Sequence, residues 1–540
     1  MLQSGDWVVP RLYDNIRAAK PPGIYWCQAT AMTLLGDTPF AARLPSAIAG
    51  VLTALLLGIV IWREVGSRHA IWTVFVLTTS ALMIWSSKIC LTDSVLLLCT
   101  TVALLGIYLL WRGRGGWIAV VIVAVAIACG GLIKGPFILG VLAATMTMLW
   151  LLRQLDRWVE RRRENRTKRG FEVNIETLRQ TRIENASPAF VAVEPAVELT
   201  SAPQLARILI RSLVGLLIVV ALILPWLFLV HHRAPQFLGA AREDALHHLE
   251  SGSEGHKGPP GYHLLLIWVS FLPWSLFLPL SIVLAFRHRK LPQVRFALAA
   301  VLGSWIFAEI LQTKLPHYIL SAFPALAFLT ADTIVRCLNG EQRDLTSREI
   351  KTGAVILAIA VVGAATYPWW WLAIKFHDYP WFALLSISLF GIVVAGAVCF
   401  LFLKGRPLPA LVSMGVGSLG LWAILFGLYL PQSQPLRLPI RVADVLKGHD
   451  AIHPREAVMF EYKEPSLAFY QGGTIREYDM SLGQLAQPGS APRWVVTKKT
   501  IWDQSTSDVR AAFDVIGPPI RGLDYSDALN TVEVMILRKK

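Results

Sequence analysis

The sequence predicts an all-α polytopic membrane protein with a small α/β domain at its C-terminal end, and three observations carry that reading. The 540 residues are 54% hydrophobic, with a mean hydropathy of +0.52 and only 16% charged residues, against about 25% in soluble domains. The apolar residues fall in unbroken runs of roughly 17–24, the length that crosses about 30 Å of hydrocarbon as helix. Past about residue 435 those runs stop and short β-type segments begin. The 20 Trp suit interfacial belts. A net charge of +15 would suggest nucleic acid in a soluble protein. In a membrane chain it reads instead as basic cytoplasmic loops, and no nucleic-acid partner is expected.

Twelve spans are expected, at about 43–62, 70–87, 91–111, 117–133, 136–152 and 207–230, then 263–286, 295–312, 317–336, 352–372, 381–403 and 408–430. The basic residues that separate them alternate. Arg63 and Arg68, Arg112 and Arg114, the run Arg153 to Arg169, Arg287 to Lys290, Arg336 to Lys351, and Lys404 with Arg406 all fall on one face. The positive-inside rule makes that face cytoplasmic. Residues 1–42, Lys134-Gly135-Pro136, the loop 231–262, Lys314 to Tyr318 and a domain over 435–540 are then extracytoplasmic. Localisation follows as the inner (plasma) membrane, multi-pass, with the transmembrane domain over 43–430.

The cytoplasmic insert at about 153–206 is Arg-rich at its start and Pro/Ala/Glu-rich later, which predicts a short charged helix and then a flexible linker. Glycosylation sequons at Asn165 and Asn185 fall there and are chance matches. In the tail, Ala457–Tyr462, Thr474–Tyr478, Trp494–Thr497 and Val532–Leu537 read as strands of a small α/β domain. The six Cys lie in or beside apolar spans, so neither a disulfide framework nor a Cys-based metal site is expected.

Ionisable residues at the ends of spans are the candidates for chemistry, because polar groups at membrane depth are costly. Asp93, in Leu91-Thr92-Asp93-Ser94, opens a span: it caps a helix, or it faces a cavity to orient a hydroxyl, an amine or a metal. Lys20-Pro21-Pro22-Gly23-Ile24-Tyr25-Trp26 joins a cation, a stiff bend and an aromatic pair; interfacial anchoring or a lipid phosphate would each suit it. Lys134-Gly135-Pro136 and Lys314-Leu315-Pro316-His317-Tyr318 repeat the theme. Three such cation–proline elements on one face point to an anionic ligand. The loop 231–262, with His263 at its edge, holds six of the 12 His together with Glu243, Asp244, Glu250 and Glu254. Their spacing matches no zinc signature. Gly255 to Tyr262, with His256, reads as a glycine-hinged lid over a site. No nucleotide-binding motif is present in a usable context.

In order along the chain, Gly5-Asp6-Trp7-Val8-Val9-Pro10, Lys20-Pro21-Pro22 with Tyr25-Trp26, Phe40-Ala41-Ala42-Arg43-Leu44-Pro45, Thr92-Asp93, Lys134-Gly135-Pro136 and Lys314 to Tyr318 resemble the bacterial lipid-linked glycosyltransferases. That family includes the aminoarabinose transferase that modifies lipid A and is related to the protein O-mannosyltransferases. The resemblance covers about 1–430. It implies a GT-C fold, a polyprenyl-phosphate sugar donor, and transfer at the outer face, with inversion, to an envelope lipid, glycan or protein.

On that resemblance Lys20, Lys134, Lys314 and His317 hold the donor phosphate. Tyr25, His256, Tyr262 and Tyr318 line the sugar and acceptor side, and Asp93 supports catalysis. The family's first helix and Asp-Glu motif precede the Gly-Asp-Trp segment, so the main catalytic Asp is expected upstream of Met1. No nucleotide cofactor is required, since a polyprenyl phosphate is itself a ready leaving group; a divalent cation at that phosphate stays open. Two rival readings remain. A transporter or lipid flippase predicts internal repeats and midplane charges, neither of which is clear here. A catalytically degenerate transferase would act as a binding protein.

Overall fold

Apolar runs become helices through the first 430 residues because no backbone polar group can be left unpaired in hydrocarbon. The computed structural model describes the chain except for residues 3, 14, 169–201, 251–257, 342–344, 346, 479–480, 488–491 and 527–528, and describes the backbone alone at 163–168, 202–205 and 244–250. The chain divides into two compact units. The first comprises Met1–Pro10, Ile16–Ala354 and Leu401–Ser418; the second comprises Arg11–Asn15, Val355–Phe400 and Leu419–Lys540.

In chain order the helices of the first unit are α1 (Gly23–Leu35), α2 (Pro39–Glu64), α3 (Ser67–Thr79), α4 (Ala81–Lys88), α5 (Asp93–Trp111), α6 (Gly116–Lys134) and α7 (Phe137–Lys168). Then come α8 (Ala202–Arg233), α9 (Gln236–Glu250), α10 (Tyr262–Ser270), α11 (Leu278–Arg287), α12 (Pro292–Ile310) and α13 (Phe323–Leu338). A 3₁₀ segment, Pro316–Ala322, leads into α13. The starts are set by local chemistry. Thr38 caps α2 by accepting from the Ala41 N–H at 3.2 Å, with Pro39 in the first turn. Gly135, at φ +58°, ends α6 in a backbone conformation that a side chain would strain, and Pro136 starts the next turn. α12 packs along α7 and α13, α5 along α2 and α6, and α8 along α6.

Among the described residues ten helices are long and apolar enough to span a membrane, and an eleventh span forms if α3 and α4 are taken together, bent by 61°. The twelve-span expectation therefore changes in two places. The run at 70–87 breaks at Ser80, and 263–286 divides into α10, a 3₁₀ turn (Trp274–Phe277) and α11 around Pro273. The loop 231–262 is not all loop, since it carries α9. The charged helix expected at the start of the insert is the continuation of α7 to Lys168; the linker and Asn185 lie outside the described residues.

The second unit holds the remaining apolar helices, α14 (Arg348–Phe376, from Val355), α15 (Trp381–Leu403, to Phe400) and α16 (Pro407–Ile424, from Leu419), and then the α/β domain. A two-residue ladder joins β1 (Arg11–Leu12) and β2 (Asn15–Ile16). The domain's sheet contains β3 (Ala457–Phe460), β4 (Arg476–Glu477), β5 (Trp494–Lys498), β6 (Phe513–Val515), β7 (Ile520–Asp524) and β8 (Asn530–Lys539). Its order is β4-β3-β5-β8-β6, with β7 also on β8; β3, β4 and β5 are parallel, and β8 runs antiparallel to β5 with Val496 opposite Ile536. Alternation sorts the strands onto two cores. Met459, Val496 and Ile536 meet Leu438, Val442 and Leu446, while Val458, Val495 and Leu537 meet Leu482 and Leu485. Strands β6 and β7 were not expected. β6 has three residues, and β7 follows Pro518-Pro519 and carries Arg521 and Gly522, so neither shows an apolar alternation.

Candidate active site

Antiparallel packing brings the start of α5, the end of α6, the start of α7 and the end of α12 to one end of the first unit. Asp93 is the first residue of α5, where a carboxylate gains from the helix dipole. It is buried at 5% exposure, and both of its oxygens are engaged. Oδ1 accepts from Lys134 Nζ at 2.7 Å. Oδ2 accepts from Thr92 Oγ1 at 3.2 Å and lies 3.5 Å from His317 Nε2. The charge of Lys20 acts on both Asp93 and His317. Lys134 Nζ also sits 4.6 Å from the centre of the Tyr318 ring and 4.9 Å from that of Phe137, a cation–π box that holds the ammonium in place.

Two half-buried ammonium groups, Lys134 and Lys20, thus act on one buried carboxylate at the end of the helices. That arrangement suits a phosphate. It also limits Asp93, whose oxygens are committed to Lys134, Thr92 and His317. The carboxylate organises the cations rather than waiting as a free base.

A second cluster adjoins the first. Glu309, in the last turn of α12, receives the N–H of Gly261 at 3.2 Å and that of His263 at 3.0 Å. The ring Nδ1 of His263 lies 3.2 Å from Glu309 Oε1, and its Nε2 lies 3.2 Å from the carbonyl oxygen of Leu315. Lys314, expected at the donor phosphate, points elsewhere. Its ammonium donates to the carbonyl oxygens of Glu309 at 2.6 Å and Ala308 at 3.4 Å and pairs with the Glu309 carboxylate at 3.2 Å. The reason is local: the free carbonyls at the end of α12 attract a cation, and Glu309 adds a full negative charge. Glu309 was missed in the sequence. The one acidic residue of a mostly apolar span was the signal that would have found it.

The other candidates are distributed around these groups. Tyr318 is buried beneath Lys134, and Tyr262 packs its ring 5.1 Å from that of His263. Tyr25 lies in α1, where burial pushes its phenol above the ordinary value while Arg17, which donates a hydrogen bond to it, pulls the other way. His256 lies outside the described residues. Among the described residues no group of three or more His, Cys, Asp or Glu side chains is placed to hold a metal. The Gly-Asp-Trp segment is scaffolding: Asp6 Oδ1 accepts the N–H groups of Val8 and Val9, and Trp26 and Trp226 donate to the carbonyl oxygens of Trp7 and Val8.

Beside this end opens an apolar cavity of about 710 Å³ between α6, α7 and α8, partly closed by α9. Ala124, Ile127, Gly131, Val219 and Ile223 line its length. At one end lie Pro21, Gly135 and Pro136, the residues that follow Lys20 and Lys134; at the other lie Arg211 and Ser212. Its lining on α6 runs from Val120 to Leu132, a rise of about 18 Å, so the groove covers more than half the depth of a bilayer core.

Residues 19–162 match the dolichyl-phosphate-mannose-protein mannosyltransferase family. The chain is 26% identical over 535 residues to the undecaprenyl phosphate-alpha-4-amino-4-deoxy-L-arabinose arabinosyl transferase of Serratia proteamaculans, covering 94% of this chain and 86% of that protein. Against the transferase of the same name from Yersinia pestis it is 24% identical over 375 residues, 68% of this chain and 57% of the relative's length. Among solved structures it resembles ArnT from Cupriavidus metallidurans in the apo state, with a TM-score of 0.70 and 18% identity over 99% of this chain and 91% of that one. The same enzyme bound to undecaprenyl phosphate gives 0.69 and 17%, with the same coverage. The chain therefore has the fold of ArnT, the GT-C type of membrane glycosyltransferase.

Proposed function

We propose that the chain is a membrane glycosyltransferase that takes its sugar from a polyprenyl-phosphate donor and passes it to an acceptor of the cell envelope. One observation supports this most directly: a groove suited to a long apolar chain ends at Pro21, Gly135 and Pro136, beside the lysines that act on Asp93. A polyprenyl phosphate is apolar along its length and anionic at its head, so it matches both parts. The names of the relatives make an amino-pentose the donor sugar to try first, and lipid A is the acceptor to try with it because the sequence resembles the transferases that modify it.

In this reading the prenyl chain lies along α6 and α8, and its phosphate meets Lys134, Lys20 and His317. The phosphate leaves as the acceptor attacks the anomeric carbon from the opposite side, which inverts the configuration. The bond from the anomeric carbon to the phosphate oxygen breaks as the bond to the acceptor forms, and the acceptor's proton passes to the departing phosphate. Preorganised cations stabilise the charge that builds on the departing phosphate, and in a dry site they act more strongly than in water. Asp93 keeps Lys134 and His317 in place for that step. The domain over 435–540 stands on the extracytoplasmic side in this reading.

The test is transfer of labelled aminoarabinose from undecaprenyl phosphate to lipid A by the purified full chain in detergent or vesicles. Time-dependent product that is lost in Lys134→Ala supports the reading. Absence of transfer from aminoarabinosyl and mannosyl donors alike, by protein that is folded and monodisperse, would overturn it.

A further inference from the structure

We infer that Glu309 is a positioning residue for this reaction: its carboxylate ties the loop end at Gly258–His263 to the Lys314-Leu315 segment and thereby fixes His317 against Asp93. The inference rests on the function proposed above.

The site chemistry described so far has no use for Glu309, and helix stability does not explain it. A carboxylate in the last turn of α12 stands at the negative end of the helix dipole, where it is unfavourable. It persists among three donors and a histidine ring. Oε1 takes the His263 N–H and faces the His263 ring, while Oε2 takes the Gly261 N–H and the Lys314 ammonium. These donors come from two separate segments, and the carboxylate is their common partner.

The second contact between the segments is steric. Gly258 lies so close to Lys314 that a Cβ there would stand 2.7 Å from Lys314 Cγ and 2.9 Å from its Cβ. Only a glycine lets the loop settle onto that stem. The third contact is the His263 ring, which is wholly buried and reaches the Leu315 carbonyl. Leu315 is two residues before His317, whose Nε2 is 3.5 Å from Asp93 Oδ2. A chain of contacts thus runs from Glu309 through His263 and Leu315 to His317 and the Asp93–Lys134 pair. Glu309 touches neither Asp93 nor Lys134 directly.

A residue that acts this way should govern turnover more than donor affinity. In Glu309→Gln, which keeps the volume but removes the charge and turns one acceptor into a donor, kcat is expected to fall at least 20-fold while the donor KM stays within threefold. A nitroxide on Pro260→Cys, in an otherwise cysteine-free chain, should become more mobile in the same variant. Lys134→Ala, which leaves the clamp whole, should not change that mobility. Lys314→Met removes one of the three donors and is expected to lower kcat by less than Glu309→Gln, without raising the donor KM.

A mobile label with unchanged kcat would show that the loop is tied for reasons unrelated to catalysis. A fixed label with a tenfold rise in donor KM would make Glu309 part of the donor site itself; either result overturns the inference. The spectroscopic arm does not need a functioning transferase, so failure of the proposed activity and failure of the clamp are told apart. Should Glu309→Gln not accumulate, His263→Gln, which cuts the same chain one step later, carries the same two readouts.

Discussion

At the scale of single residues, two charges near opposite ends of the first unit's helices make opposite cases: Lys134 is proposed to serve the substrate, and Asp156 serves the fold. Lys134 sits over two aromatic rings and against Asp93, and the two residues after it, Gly135 and Pro136, line one end of the groove. Lys134→Ala should cost about 2–4 kcal/mol of transition-state stabilisation, a loss on the order of 30- to 1,000-fold in kcat/KM. Steady-state kinetics with a labelled donor read it, and a loss below threefold would make the lysine an anchor. Asp156 is the opposite case. It is buried at 6% exposure between Arg289, at 2.8 Å, and the buried Arg295, at 2.9 Å. Asp156→Asn leaves two guanidiniums short of a counter-charge, one of them in a dry interior, and should destabilise the protein by about 3–5 kcal/mol. The measurement is thermal unfolding in detergent; an unchanged midpoint would contradict it. The sequence made Lys134 visible because a cation beside a Gly-Pro break at a helix end is rare. Glu309 and Asp156 stayed hidden because their meaning depends on partners that are distant in the chain, such as Arg295 for Asp156.

At the scale of elements, apolar length predicted the membrane helices well and failed where a helix bends. Ser80 and Pro273 interrupt runs whose composition is continuous, so hydropathy alone counts each run as one straight span. The groove was not legible at all, since it depends on how α6, α7 and α8 are spaced in three dimensions. It can be tested through Gly215 on α8. A Cβ at Gly215 would meet Val120 Cγ1 at 3.7 Å, an ordinary contact, so a side chain fits at its base and extends into the cavity. Gly215→Phe should displace roughly one prenyl unit, about 100 Å² of apolar surface and so about 2.5 kcal/mol at 25 cal/mol per Å². The expected result is a rise in KM on the order of 50-fold for an undecaprenyl donor, with little change for a donor carrying one or two prenyl units. Equal effects on both donors would place the chain elsewhere.

At the scale of the whole molecule, the remaining question is which side of the membrane holds the site. The loop charges give an answer, because basic residues gather at alternate connections and lysine or arginine in short loops resists translocation. Arg63 with Arg68, Arg112 with Arg114, and Arg287 with Lys290 lie at the ends of the helices away from Asp93. The site end carries cations as well, and two of its lysines have carboxylate partners: Lys134 on Asp93 and Lys314 on Glu309. Those two are already neutralised by carboxylates, so they weigh less in orienting the chain than the loop arginines do. The prediction is that a cysteine at Arg114 is labelled by a membrane-impermeant maleimide only after the cells are opened. Cysteines at Pro260 and at Asp508, in the C-terminal domain, should be labelled in intact cells whose outer membrane is permeabilised. The reverse pattern at Arg114 and Pro260 would put the phosphate cluster on the cytoplasmic side, where nucleotide-sugar donors are available and a polyprenyl-linked one would have no advantage.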